Sequence, residues 1–221
     1  VSDTWPEERI RSAAETVKET VVQRVGQDLV VNGVAVKYES NRPERFAATV
    51  ELAGGGSSLP LVLIASDPAA FEAGLAVAGH YRPLVHAATE ENWQVLAALA
   101  KRYGCPLAVR AAGPAELASL AGKCAEAGTP DLVLDPVPSS LAGFIATATE
   151  IRRSAIGRTE PALGYPLYLD AGAFGKTDAA LAAGILKYAG IIVTPPLASA
   201  SREAALTLRQ NIYTDPQKPI Q

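Results

Sequence analysis

Leu59-Pro60-Leu61-Val62-Leu63-Ile64-Ala65 returns as Arg82-Pro83-Leu84-Val85-His86-Ala87-Ala88 and again as Cys105-Pro106-Leu107-Ala108-Val109-Arg110-Ala111. The three prolines, Pro60, Pro83 and Pro106, are spaced 23 residues apart, and Tyr165-Pro166-Leu167-Tyr168-Leu169-Asp170 is a looser fourth copy. Each copy is a short apolar run entered through proline. A strand tolerates proline at its first residue, where its missing N–H costs least. Near-continuous apolarity, rather than alternation, suits parallel strands buried on both faces.

The segments between the runs read as helices. Pro68–Gly79 opens on Asp67-Pro68, a capping residue followed by proline at the first helical position. Thr89–Tyr103 carries Glu90 and Glu91 in its first turn and stops at Gly104; Pro114–Ala127 stops at Gly128, and Leu141–Ile156 at Gly157. Lys176–Ala189 and Arg202–Tyr213 complete the downstream set. Upstream, Glu7–Val25 reads as one long helix and Gly33–Glu39 as a strand. Pro43–Ala53 leans towards strand in composition, but a helix there keeps the alternation unbroken.

The result is seven strands starting near residues 33, 60, 83, 106, 131, 164 and 190, each followed by a helix. Strict alternation means a parallel sheet with right-handed crossovers. An open doubly wound sheet usually carries a glycine-rich first turn, which is missing here; Gly54-Gly55-Gly56 follows a helix and reads as a loop. The expected fold is therefore α/β, a (β/α)8 TIM-type barrel over residues 1–213. Val1-Ser2-Asp3 looks like the end of a strand, so the barrel is expected to lack most of its first strand in this chain.

Composition agrees with a packed domain: 221 residues and 23.0 kDa, 48% hydrophobic, 19% charged, with much of the apolar content alanine. A net charge of −3 argues against nucleic acid as a partner, because no basic stripe is available to displace counterions. No apolar run approaches the roughly 18 residues of a membrane span, and the start lacks the order of a signal peptide. The two cysteines, Cys105 and Cys124, are too few for a disulfide framework or a four-thiolate cluster, and suit a reducing cytoplasm. They read as small core residues. The chain contains no methionine, from which the central module of something larger is expected.

In such a barrel, chemistry sits at the carboxyl ends of the strands: here Asp3, Glu39, Asp67, Thr89, Arg110, Asp135, Asp170 and Thr194. The candidate ligand-binding residues are Asp67, Thr89, Asn92, Asp135 and Asp170. Carboxylates, hydroxyls and an amide can bridge the ring N–H and C=O groups of a polar heterocycle such as a pterin. The plainer reading is that Asp67, Thr89 and Asp135 are caps, since each precedes a helix or turn. Gly172–Thr177 resembles a phosphate loop, but Asp170 stands where the first glycine belongs. The histidines, His80 and His86, identify no triad, and no catalytic or metal-binding residue is assigned.

Ala189-Gly190-Ile191-Ile192-Val193 and the closing segment from Leu206-Thr207-Leu208-Arg209-Gln210-Asn211 to Gln217-Lys218-Pro219-Ile220-Gln221 resemble the large (gamma) subunit family of the corrinoid iron–sulfur protein, part of the acetyl-CoA synthase/decarbonylase system. Ala88-Thr89-Glu90-Glu91-Asn92-Trp93, Leu132-Val133-Leu134-Asp135-Pro136 and Leu163-Gly164-Tyr165-Pro166 resemble it too. The resemblance runs through most of residues 20–221, and the closing segment is its most specific part. It implies three modules: a [4Fe–4S] domain, a barrel, and a cobamide-binding domain. Only the barrel is expected here, with residues 214–221 leading towards the cobamide domain. No cofactor is expected in this chain; the cobamide and the [4Fe–4S] cluster are implied for the full-length family alone. The implied role is methyl transfer from a methyl-pterin methyltransferase to acetyl-CoA synthase, in the cytoplasm. The small (delta) subunit's barrel is the implied direct partner. Related barrels bind methyl-tetrahydrofolate, so the alternative is a free-standing methyl-pterin-binding methyltransferase using Asp67, Asn92 and Asp135.

Overall fold

A computed structural model describes residues 1–55, 59–157 and 160–213. The linker reading of 214–221 lies outside them, as does Gly56 of the predicted loop.

Helix α1 (Glu7–Glu19) starts behind Pro6, with Glu7 and Glu8 at its amino end and Lys18 in its last turn, each charge opposing the helix dipole. The expectation of one helix to Val25 fails here. Strands β1 (Val21–Arg24) and β2 (Gln27–Val30) instead form an antiparallel hairpin, with Arg24 opposite Gln27. Its turn is Val25-Gly26, with φ of 48° and 71°, the two left-handed residues that a tight hairpin turn of matching twist requires. Gly26 supplies this freely. The β-branched Val21 and Val22 favour strand over a continued helix.

The barrel then runs β3 (Val34–Lys37), α2 (Pro43–Gly54), β4 (Leu61–Ile64), α3 (Pro68–Ala78), β5 (Leu84–Ala88), α4 (Trp93–Tyr103), β6 (Leu107–Ala111), α5 (Pro114–Glu126), β7 (Leu132–Pro136), α6 (Leu141–Ile156), β8 (Leu167–Asp170), α7 (Thr177–Leu186), β9 (Ala189–Val193) and α8 (Ser199–Tyr213). Strands β3 to β9 pair in chain order, every pair parallel. The 43–54 segment is helical, as the alternation required. Helix α4 starts four residues later than expected, because Thr89–Asn92 forms a separate turn. Helix α7 stops at Leu186; Tyr188 takes a φ of 60°, and Ala189 already belongs to β9.

Residues 1–3 occupy the place of the first barrel strand. Ser2 bridges Lys37 in parallel, Asp3 N–H donates to Lys37 O at 3.1 Å, and Lys37 N–H donates to Val1 O at 3.0 Å. Among the described residues they pair with β3 and not with β9, so the barrel is nearly closed.

Strand alternation divides the core into two layers. Between sheet and helices lie Val36, Leu63, Val85, Leu107, Val109 and Leu134, packed with Phe46, Phe71, Leu96, Leu117 and Phe144. Ala70, Ala97, Ala100, Ala121 and Ala148 are buried on the helices, which explains the use of alanine: small side chains let the helices approach the sheet. Cys105 and Cys124 belong to this layer, as expected. The barrel interior holds Leu84, Ala87, Ala108, Val133 and Tyr168, with Val62, Ile191 and Val193 against them. Gly33 lies at the entrance to β3, where Val34 N–H donates to Pro60 O at 3.0 Å.

A methyl group at Gly33 would stand 2.3 Å from that Pro60 carbonyl oxygen, a backbone atom that cannot swing aside. Gly33→Ala is therefore expected to destabilise the fold by about 1–3 kcal/mol. A shift of the urea midpoint measures this, and an unchanged midpoint would contradict so close an approach of the two strands.

Candidate functional site

The carboxyl ends of the strands bring one level of residues into register: Lys37 beside Ile64, Ile64 beside His86, Arg110 beside Asp135, and Asp170 beside Val193. Alternation puts Arg110 on the same side of β6 as the interior residue Ala108. It likewise puts Asp135 with Val133 on β7 and Asp170 with Tyr168 on β8. Above the apolar floor of the barrel there is thus a polar layer.

Its centre is a buried pair. His86 Nε2 lies 2.8 Å from Asp135 Oδ2, with the two side chains only 4% and 8% exposed. A carboxylate accepts only, so the imidazole carries its hydrogen on Nε2 and donates it. Arg110 Nε lies 3.5 Å from the same Oδ2, with the rest of its side chain reaching outward. The imidazole also packs on Tyr168, with ring centroids 4.1 Å apart and planes tilted by 30°. Burial pushes the Tyr168 phenol well above its ordinary range. Asp170 and Asp135 push it the same way and Arg110 opposes them, so the hydroxyl stays neutral.

The other predicted residues are held by their own chain. Asp67 Oδ1 accepts from Ala69 N–H at 2.9 Å and caps α3, as the plainer reading had it. Asn92 Oδ1 accepts from Thr89 N–H at 2.7 Å, and Thr89 Oγ1 donates to Glu91, so these residues share one turn. Asp170 Oδ1 accepts from Gly172 N–H at 2.9 Å and caps the short turn Ala171–Phe174, which Gly175 closes with a φ of 66°. That turn accounts for the glycines of the phosphate-loop-like stretch. Asp3, further round, accepts from Glu39 N–H, Ser40 N–H and Ser40 Oγ. Of the five candidates, only Asp67 and Asp170 cap, and Asp135 is joined instead to His86 and Arg110. His86, Arg110 and Tyr168 stood outside the predicted set.

Beside the mouth lies a cleft of about 720 Å³ between the Thr89–Glu91 turn and α5. Arg110, Glu116, Ser119, Lys123 and Val137 line it. Lys123 is paired with Glu90 across it. Arg110 thus links cleft and buried pair. Among the described residues, no group of three or more His, Cys, Asp or Glu side chains is placed to hold a metal ion, and no helix is long and apolar enough to cross a membrane.

Removing the imidazole leaves Asp135 buried with only the longer Arg110 contact. His86→Ala should cost about 3 kcal/mol. The cost should be much smaller in an Asp135→Ala background, where no charge is stranded; equal losses in both backgrounds would show the pair to be uncoupled. Burial also pushes both thiols, Cys105 and Cys124, up to about 11, with Glu90 adding to the effect at Cys124. Since the thiolate is the reactive form, neither should react promptly with a thiol reagent at pH 8 in the folded protein, and both should in urea. A rapidly labelled thiol in the native state would contradict this.

The family model described as CO dehydrogenase/acetyl-CoA synthase delta subunit matches residues 1–221. The corrinoid/iron-sulfur protein large subunit of Moorella thermoacetica is 36% identical over 222 residues, covering 100% of this chain and 50% of that protein. The acetyl-CoA decarbonylase/synthase complex subunit gamma of Methanopyrus kandleri is 36% identical over 235 residues, covering 99% of this chain and again 50% of the relative. The chain therefore spans about half the length of the curated relatives it matches. Among solved structures, dihydropteroate synthase of Thermus thermophilus superposes with a TM-score of 0.68 at 18% identity, over 94% of this chain and 90% of that one. At that identity the likeness speaks for the barrel fold alone. The match along every residue shows that this chain belongs to the CO dehydrogenase/acetyl-CoA synthase delta subunit family.

Proposed function

We propose that this barrel is the scaffold and assembly part of a corrinoid iron–sulfur protein. In this reading the full-length protein carries a methyl group from methyl-tetrahydrofolate, or a related methyl-pterin, to acetyl-CoA synthase in the cytoplasm. The observation that carries the reading is the family match over residues 1–221, with relatives named as a corrinoid/iron-sulfur protein large subunit and an acetyl-CoA decarbonylase/synthase complex subunit. Its direct partner is the barrel of the small (delta) subunit; the methyltransferase and acetyl-CoA synthase are met by the assembled protein.

The side chains favour a scaffold role. Asp67 and Asp170 cap, Thr89 and Asn92 hold one another's turn, and Asp135 is tied twice through one oxygen. A pterin site needs acceptors that are open to ring N–H groups. Here Asp67, Asp170, Asn92 and Asp135 each already have an oxygen engaged within the chain.

The cofactors of the full-length relatives belong to other parts of the protein in this reading. A [4Fe–4S] cluster needs four thiolates. This chain offers Cys105 and Cys124, both buried in the apolar layer behind the sheet, with thiols held protonated to about pH 11. They do not fit a cluster, and no step is routed through one. A buried His86 already bonded to Asp135 is likewise committed within the fold.

The test is assembly. The full-length protein mixed with the small subunit should form a one-to-one complex in analytical ultracentrifugation; two species that sediment independently at tens of micromolar would overturn the reading. Calorimetric titration of the barrel with methyl-tetrahydrofolate should give no heat at millimolar ligand. Saturable heat that Asp135→Ala abolishes would favour the free-standing methyl-pterin-binding barrel instead.

A further inference from the structure

The barrel's amino end exposes several large apolar and aromatic side chains. Helices α6, α7 and α8 end there, because each runs back antiparallel to its strand. At these ends Ile156 is 68% exposed, Leu186 51%, Tyr188 44% and Tyr213 49%. Tyr188 and Tyr213 are in contact, with Arg152 over the first. The rings of Tyr188 and Tyr213 meet edge to face at 5.5 Å, Tyr213 Oη lies 3.4 Å from Ile185 O beside Leu186, and the Arg152 guanidinium lies 4.0 Å above the Tyr188 ring. Ile156 follows Arg152 by one helical turn and so stands on the same face of α6. The hairpin adds to this end: Val25, 78% exposed at its tip, follows Arg24, whose carbonyl accepts from Gln210 Nε2 on α8 at 3.0 Å.

Exposed Val77, Val95 and Val137 are single residues on separate elements, which is ordinary for a protein surface. Two tyrosines, an arginine, an isoleucine and a leucine sharing one face are a different case. Tyrosine and arginine are among the side chains most enriched at the centre of protein interfaces, where each combines a large contact area with a polar group. Exposed apolar and aromatic side chains gathered at the ends of adjacent helices mark an interaction site.

Charge states what should cover it. Arg152 lies on the patch; Lys187 and Arg24 stand at its margin. Lys187 bonds the Thr149 hydroxyl at 2.9 Å, and Arg24 reaches Thr207 O and Asn211 Oδ1 at 3.5 Å. Among the described residues, none of the three has a carboxylate within ion-pair distance. A second copy of this chain seated face to face would bring like charges together across a two-fold axis. A surface that is apolar at its centre and carries carboxylates around it fits instead.

We propose that the face formed by Ile156, Leu186, Tyr188 and Tyr213, with Arg152 on it, is the docking surface for a partner subunit whose own face is apolar with a carboxylate margin. The inference rests on the assembly role proposed above and assigns its surface: the amino end of the barrel, opposite the polar mouth.

The experiment compares binding of the small subunit by the full-length protein and by its Ile156→Glu, Leu186→Glu and Ile156→Lys variants, with circular dichroism as the check on folding. Both sites are more than half exposed, so the variants should fold. Each glutamate should weaken binding at least 10-fold, by removing apolar contact and by facing the partner's carboxylates. Lysine at 156 should cost clearly less than glutamate, and raising salt should weaken wild-type binding. Wild-type binding with both glutamate variants unaffected would overturn this surface and leave the assembly role standing. Equal loss from lysine and glutamate would overturn the carboxylate margin. No wild-type complex at all would overturn both readings, and a homodimer broken by Ile156→Glu would replace the partner with a second copy.

Discussion

The register between β4 and β5 governs the polar layer of this barrel. Val62 pairs with Leu84 and Ile64 with His86. In a parallel sheet one face points into the barrel and the other towards the helices, and a slip of one residue exchanges them. If the strands were aligned by their prolines, Pro60 with Pro83, His86 would stand beside Leu63 and face the helices. The observed register is one residue off that alignment, and a further irregularity between Val85 and Ala88 accommodates the step to β6. As a result the imidazole enters the interior and meets Asp135 from two strands away, 2.8 Å from its oxygen. The layer then closes around it: Arg110 on the outward side, Tyr168 beneath.

The same register explains which features are legible in the sequence and which are not. The proline-led apolar runs identify strands because their cause is local, burial on both faces with a first residue that needs no donor. The helix starts at Pro68 and Pro114 and the stop at Gly157 are local as well, set by which residue tolerates an end position. Asp67 is readable as a cap for the same reason. His86 is not readable as a partner of Asp135, since the proline spacing implies the wrong face for it. The hairpin at 21–30 is hidden for a different reason: Val25 sits at positive φ, a conformation a β-branched residue rarely adopts, so the turn lacks its usual first residue. Residues 1–3 can be recognised as a strand end because Trp5-Pro6 and the helix after them repeat the pattern of the other units.

The mouth and the opposite end of the barrel have different physical characters. At the carboxyl end, polar groups are plentiful but mutually engaged. A carboxylate that caps a helix or holds a buried imidazole is fixed in orientation by that bond. At the amino end, apolar and aromatic groups are exposed and few internal contacts use them.

That contrast bears on why the barrel keeps a buried, hydrogen-bonded His86–Asp135 pair. A His–Asp pair with Arg110 beside it is not an efficient source of stability, because each group loses its hydration on burial and a well-packed apolar trio would do about as well. What the pair does supply is uniqueness of register. The 23-residue proline period makes β4, β5 and β6 nearly interchangeable, and apolar side chains alone would tolerate a one-residue slip in a flat, alanine-rich strand such as β5. Only the observed pairing brings His86 to Asp135; a slip by one would bury an imidazole among the helices and strand a carboxylate in the interior. The penalty for the wrong register is therefore far larger than the gain from the right one. For the assembly role proposed above, specificity of this kind matters more than raw stability, since a shifted strand would carry its following helix, and that helix's exposed end, out of position.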